Sequence, residues 1–487
     1  MSNIKRYTFY LMLRGGYKEM AKKPLGLDKF GVQKVMRKGD YFADSLGQFA
    51  LNSMSGLVGQ LTYFYTDKAA IAAGAVATVF FICKIIDAFT DVIMGNIVDH
   101  TKPGREKYRP WLLKMAIPAL VILIMLFTVP QGVPDYAKIA YMFVTNILLT
   151  AVIYTAIAIP YGSLLVVRTN SQEERGNMGI WRAAAGYVSG MVIAIGIIPI
   201  TNMLGGDQAA WIKFGVGFGL MVVLALLICY KKARECAVET GKEALPADQQ
   251  DDEDPVPFKE ALGNLFRNKY WVMILIMGVM SNISYGISGS SGAYYCKLIY
   301  GDDNLTGILG AVGLLPTLIG FIAVGPMIKK LGVTRTLKVS FFIGMVTTAL
   351  RIINPSAFWY NTILGCFATF ANIPMMCLMG VMTAMTIDYN EYKFGKKMVG
   401  TSNAASGFGG KVGSGLGASL VGWCLAVASY DGLAEVATPA VRQAVFTFGI
   451  YIPLLLFVVM FILTLRFDLE AKLPSMREEI AKRKANK

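Results

Sequence analysis

Within two helical turns, the stretch Lys84-Ile-Ile-Asp87-Ala-Phe-Thr90-Asp91 sets four polar side chains inside a long apolar run. At 100° per residue, positions 84, 87, 90 and 91 share one face of a helix. Two carboxylates one turn apart, with a hydroxyl beside one of them, offer several hard oxygen ligands. Such a set suits Na⁺, or a proton shared between the carboxylates. The alternative is a structural ion pair of Lys84 with Asp87. Ionisable groups in hydrocarbon are costly and mark function. Asp87 lies about 18 Å of helical rise from Asp99, too deep for simple snorkelling.

A second charge, Lys411, interrupts a run in which Gly409, Gly413 and Gly417 recur every four residues. The glycines permit close helix packing, but the lysine needs an anionic partner or water, and Asp87 and Asp91 are the obvious candidates. Arg351, followed by Asn354-Pro355, reads as a snorkelling residue. The cluster Asp388-Tyr-Asn-Glu391-Tyr-Lys393 reads either as a cytoplasmic gate or as a solvated surface. Thr155-Ala-Ile-Ala158-Ile-Pro160-Tyr161-Gly162-Ser163 reads either as a helix break beside a cavity or as a plain kink.

The elements that must carry these residues are membrane helices. The chain has 487 residues, 55 % hydrophobic and 16 % charged, with mean hydropathy +0.50. A soluble domain averages about 25 % charged residues, so an ordinary soluble enzyme and a disordered chain are both disfavoured. Spans of about 20 apolar residues are predicted at 43–66, 71–98, 110–130, 138–166, 180–202, 211–230, 271–298, 305–328, 336–354, 358–387, 400–430 and 440–466. The division is a basic N-terminal segment (1–41), a six-helix half (42–230), a solvated linker (231–270) with an acidic run at 248–254, a second half (271–467) and a tail (468–487).

The net charge is +15, yet of 47 Lys and Arg residues only Lys68, Lys138, Lys213, Lys297 and Arg442 fall on the side opposite the termini. This asymmetry predicts cytoplasmic termini in a cell membrane and a lipid bilayer, not nucleic acid, as partner. The seven cysteines form no CxxC pair and read as small buried hydrophobes. A single histidine, His100, argues against a His-based metal site or triad. No GxSxG, HExxH or Walker A pattern points to an enzyme. The first 40 residues are polar and basic, unlike a cleavable signal. Their charges, Lys5, Arg6, Arg14, Lys18, Lys22 and Lys23, lie either on anionic lipid or in solvent. Gly95-Asn-Ile-Val-Asp99 after span two and Gly325-Pro-Met-Ile-Lys329 after span eight repeat faintly, as in the parallel six-helix repeats of the major facilitator plan.

Asp87-Ala-Phe-Thr-Asp91, Met94-Gly95, Asp99 and Gly104-Arg-Glu-Lys-Tyr-Arg109-Pro-Trp111 together resemble the span-two signature of the glycoside–pentoside–hexuronide:cation symporters, the family of melibiose permease. Tyr63-Phe-Tyr-Thr-Asp67, Ile159-Pro-Tyr-Gly-Ser163, Glu173-Glu-Arg175, Trp181-Arg182, the 388–393 cluster and Lys411 agree, and the likeness extends over roughly residues 38–467. It implies an all-α major facilitator fold and sugar import coupled to Na⁺, Li⁺ or H⁺ by alternating access, with no cofactor beyond the ion. By position it implies a cation site of Asp87, Thr90, Asp91 and Thr155 and coupling residues Lys411 and Lys84. Separately, Asp99, Arg109, Asp388, Glu391 and Lys393 are the charges expected at a cytoplasmic gate. Arg182 matches an arginine lining the sugar cavity; Asn52 and Tyr161 complete the expected substrate set. Thr90 replaces an asparagine. Ala158 and Asn52, or Leu51 where a one-residue gap falls differently, stand where melibiose permease has sugar-binding carboxylates, and Gly162 replaces a tryptophan. Without those carboxylates the strong charge-assisted bonds to sugar hydroxyls are lost, while Lys84 and Arg182 remain, which favours an acidic, hexuronide-like sugar. The rival expectation is a uniporter or exporter of another small organic solute.

Overall fold

The computed structural model describes residues 25–27, 32–100, 106–169, 171–235, 258–395, 398–432 and 437–485. The 248–254 run and the basic residues before position 25 lie outside them, as does the side chain of Asp99.

The described chain is helical, its only β feature a single bridge between Leu27 and Gln33. Six long helices precede residue 236: α1 (Lys38–Asp67), α2 (Ala73–His100), α3 (Arg109–Met125), α4 (135–167), α5 (Gln172–Met203) and α6 (Gln208–Lys232). Six more follow: α7 (269–300), α8 (Leu305–Leu331), α9 (Val333–Leu350), α10 (Phe358–Phe394), α11 (Val399–Val427) and α12 (439–465). An amphipathic helix, Phe258–Arg267, precedes α7, and a polar helix, Leu469–Ala485, follows α12. Nine of the described helical segments are long and apolar enough to cross a membrane. The shortfall is in α1 to α3: α3 has only 17 residues, and α2 carries Lys84, Asp87 and Asp91. Large apolar side chains such as Ile322, Ile353 and Leu455 point outward, as lipid-facing residues do.

Helix ends follow local chemistry. α5 starts eight residues before the expected span because the Ser171 hydroxyl accepts from the Glu174 amide. α10 runs seven residues past its expected end and stops at Gly395, whose φ of +71° suits glycine. It therefore holds Asp388–Lys393 within a helix. Three π segments interrupt the rods: Leu148–Tyr154 in α4, Cys296–Tyr300 closing α7, and Thr447–Tyr451 in α12. Pro160 sits inside continuous α-helix, so the irregularity in α4 lies upstream of it. Arg351 does not snorkel; it donates to the Asn361 Oδ1 and to the Gly449 carbonyl, each at 3.2 Å.

The two halves repeat a contact as well as an order. Glu235, just past α6, accepts from the amides of Lys107, Tyr108 and Arg109 at the start of α3. Glu470, just past α12, accepts from the amides of Val333 and Thr334 at the start of α9. In each half the chain beyond the sixth helix supplies a carboxylate to the exposed amides of the third, where the helix dipole favours negative charge.

Candidate cation and substrate site

The α2 face holding Lys84, Asp87 and Asp91 turns toward α4 and α11. Glycines bring α11 that close. A Cβ at Gly413 would lie 2.7 Å from the Val279 carbonyl of α7, and Gly409 and Gly417 meet the same helix. On the other side of α11, Gly415 abuts the Lys84 side chain, at 2.6 Å from its Cβ. The glycine stripe thus packs α11 on α7 and leaves Lys411 aimed at α2.

Asp87 is buried, and its Oδ2 lies 3.6 Å from the Lys84 Nζ and 3.4 Å from the Lys411 Nζ. Lys411 also forms an ion pair with Asp91 and approaches the Asp87 carbonyl at 3.4 Å. Thr155 of α4 reaches both carboxylates, donating toward Asp91 at 3.1 Å and Asp87 at 3.4 Å, with the Thr150 carbonyl at 3.2 Å. It is the first residue after the π segment, a local widening often found at functional sites. Two lysines and two aspartates make the cluster neutral. Of the four only Asp87 is buried, while Lys84, Lys411 and Asp91 are partly exposed, so Asp87 is the charge that depends most on keeping its partners. Among the described residues no group of three or more His, Cys, Asp or Glu could hold a metal ion. The oxygens gathered here are two carboxylates, a hydroxyl and a carbonyl, a set suited to a small monovalent cation or a proton.

Both expected coupling lysines and three of the four expected cation residues meet here. Thr90 sits apart: its hydroxyl donates to the Asp87 carbonyl of its own helix at 3.0 Å. A cavity of about 190 Å³ adjoins the cluster, lined by Met54, Ser55, Lys84, Tyr154, Lys411 and Ser414 among others.

The expected substrate residues are engaged elsewhere. Arg182 is buried, and its Nε and Nη2 donate to Asp44 at 2.7 and 3.0 Å. Its guanidinium stacks on Tyr161 at 3.8 Å and donates to the Tyr161 carbonyl. Arg168 completes the knot on Asp44 at 2.8 Å, and the Tyr161 hydroxyl donates to the Asp44 carbonyl at 2.8 Å. Asp44, fully buried, escapes a reading of the sequence because it lies six residues into α1, where a carboxylate passes for a solvated one. Asn52 accepts from Gln48 at 2.7 Å and packs against Gly186.

Two of the expected gate residues, Arg109 and Lys393, find partners within their own halves. Arg109 binds Glu106 and the Tyr230 carbonyl, both at 2.6 Å. Lys393 donates to the Arg267 carbonyl at 3.2 Å, and Arg483 of the C-terminal helix donates to the Tyr392 carbonyl at 2.9 Å. Asp388 is half-buried and Glu391 buried on α10.

Residues 45–471 match the family model described as MFS/sugar transport protein. An isoprimeverose transporter of Lactiplantibacillus pentosus is 27 % identical over 404 residues, covering 80 % of each chain. A glucuronide carrier protein homolog of Escherichia coli (strain K12) is 26 % identical over 413 residues, covering 83 % of this chain and 86 % of the relative. Among solved structures, a bacterial homologue of the iron transporter ferroportin, in an inward-facing state, superposes with TM-score 0.63 at 12 % identity, covering 89 % of this chain and 99 % of the other. Helix order, paired halves, buried charges and the matched residues agree: the chain belongs to the MFS/sugar transport protein family, a multi-pass membrane protein that acts as a secondary active sugar symporter and not as an enzyme.

Proposed function

We propose that the symporter takes up an acidic sugar or glycoside together with a monovalent cation, Na⁺ or H⁺, bound by Asp87, Asp91 and Thr155. The observation that carries this reading is the Lys411 ammonium of α11 paired with both aspartates of α2. It stands where a cation would sit and joins the two halves. A bound cation competes with Lys411 for the carboxylates, so loading weakens a bond between halves. Loading also turns a neutral cluster into one with a single positive charge. An anionic group on the sugar, in the adjoining cavity beside Lys84, restores neutrality. Each ligand then raises the affinity for the other, as coupled transport requires. The termini and the basic loops face the cytoplasm of a cell in whose plasma membrane the protein resides. Among the relatives, the glucuronide carrier protein homolog supports the acidic reading, and the isoprimeverose transporter supports a sugar more generally.

Calorimetry on purified protein tests this with uronates and neutral glycosides, each with and without Na⁺ and across pH. Uronate binding strengthened by Na⁺, or only by low pH, is expected. Tight binding of a neutral glycoside with no response to uronates overturns the acidic substrate. Asp87→Asn and Asp91→Asn should abolish gradient-driven uptake and leave exchange; full active uptake in either variant would sink the cation site.

A further inference from the structure

The helix ends remote from the termini hold a second polar network. Asp67, the last residue of α1, has its side chain 1 % exposed. Three donors converge on it. Lys297 of α7 forms an ion pair with it, the Tyr430 hydroxyl just past α11 donates at 2.8 Å, and Thr66 donates at 2.6 Å. Two of the three come from the other half. Lys297 also donates to the Gly432 carbonyl at 3.1 Å, and Gly432 itself packs on the Thr66 backbone. Thr66 meets the Tyr294 hydroxyl at 2.7 Å. Beside this knot, Tyr63 donates to Asp303 at 2.7 Å, and Asn202 of α5 donates to Asp303 and Asn304, each at 3.0 Å.

We propose that Asp67 is a positioning residue of the transport cycle: the shared acceptor that latches the remote ends of the two halves together and sets how often they part. The inference rests on the alternating-access reading above. The physics is an asymmetry of partners. Parting the halves strips Asp67 of two of its three donors and leaves the Lys297 ammonium without its carboxylate. The bonds of Tyr63 and Asn202 to Asp303 also cross between the halves but leave the Tyr63 and Asn202 side chains neutral when they break. Where α5 meets α8 the contacts are close backbone approaches, as at Gly310 with the Ala194 carbonyl and Gly307 with the Ile195 carbonyl. Asp67 and Lys297 are the pair that parting leaves as two unpaired charges. Sequence order hid the latch, because Asp67 and Lys297 sit at the ends of separate predicted spans, 230 positions apart.

Pulsed EPR between spin labels at Met203→Cys on α5 and Val427→Cys on α11, both exposed remote-end positions in opposite halves, tests it in a cysteine-free background that retains uptake. Unsubstituted at position 67, the protein should give mostly the short distance. Asp67→Asn should move the population toward a longer distance by about tenfold or more. Tyr430→Phe, which removes one hydrogen bond and spares the charges, should move it less and in the same direction. Lys297→Gln stands in for Asp67→Asn should that variant fail to fold. Unchanged distances in Asp67→Asn or Lys297→Gln overturn the latch, even where uptake is intact. Widening in a protein that moves no sugar would instead leave the latch standing and remove the transport reading.

Discussion

Asp91 is held by an ammonium that arrives from the opposite half of the molecule. In the proposed cycle Lys411 is a tethered competitor for the coupling ion, since one carboxylate pair cannot fully serve two cations. Removing the competitor should therefore tighten ion binding while it breaks the link between halves. In Lys411→Met, the affinity for Na⁺ or H⁺ measured by calorimetry should rise about tenfold, with loss of its dependence on sugar. Weaker ion binding in that variant would mean that Lys411 supports the site and does not compete for it. The same scale separates residues that sequence placed well from those it did not. Asp87 and Asp91 were legible because charges in an apolar run have few other uses. Arg182 was not, because a guanidinium takes whichever carboxylate the fold delivers, and the fold delivers Asp44. Losing Asp44 would leave two buried arginines unpaired, a change worth about 3–5 kcal/mol.

Helices position the site through two local devices. The π segment Leu148–Tyr154 sets the register in which Thr155 meets both aspartates. The glycine stripe of α11 removes the side chains that would hold α7 away. A third device secures the frame. Glu235 and Glu470 each cap the third helix of their own half through backbone amides. Alanine at either position should lower stability by about 1 kcal/mol, and the double variant by the sum to within about 0.5 kcal/mol, because the two caps share no partner. Denaturation in detergent measures both. A larger coupling would contradict independent capping of the halves. The stripe could be read from its spacing of four; the π segment could not, because no residue in 148–154 departs from ordinary helical composition.

At the scale of the whole molecule, the halves are joined firmly at the remote ends and at mid-depth by Lys411. Cross-half ring contacts nearest the termini are Phe89 with Phe408 at 5.8 Å and Tyr187 with Phe321 at 4.9 Å. With the remote ends sealed, the cavity beside Asp87 should be reached from the side of the termini. Ser55 is exposed and lines that cavity. A membrane-impermeant maleimide should label Ser55→Cys faster in inside-out vesicles than in right-side-out ones. The reverse preference would place the termini outside or the seal at the wrong end.

Sequence alone determined what solvation energy dictates: twelve helices from apolar runs, two halves from their order, and a pair of aspartates singled out by the cost of charge in hydrocarbon. Tertiary structure alone decided which charges meet. Lys411 and Asp91 lie 320 positions apart, and Asp67 and Lys297 lie 230 apart. Hydropathy and helical periodicity carry no term linking such distant residues. Only the packing of one half against the other, through glycines and a sealed remote end, converts separate charges into a site and a latch.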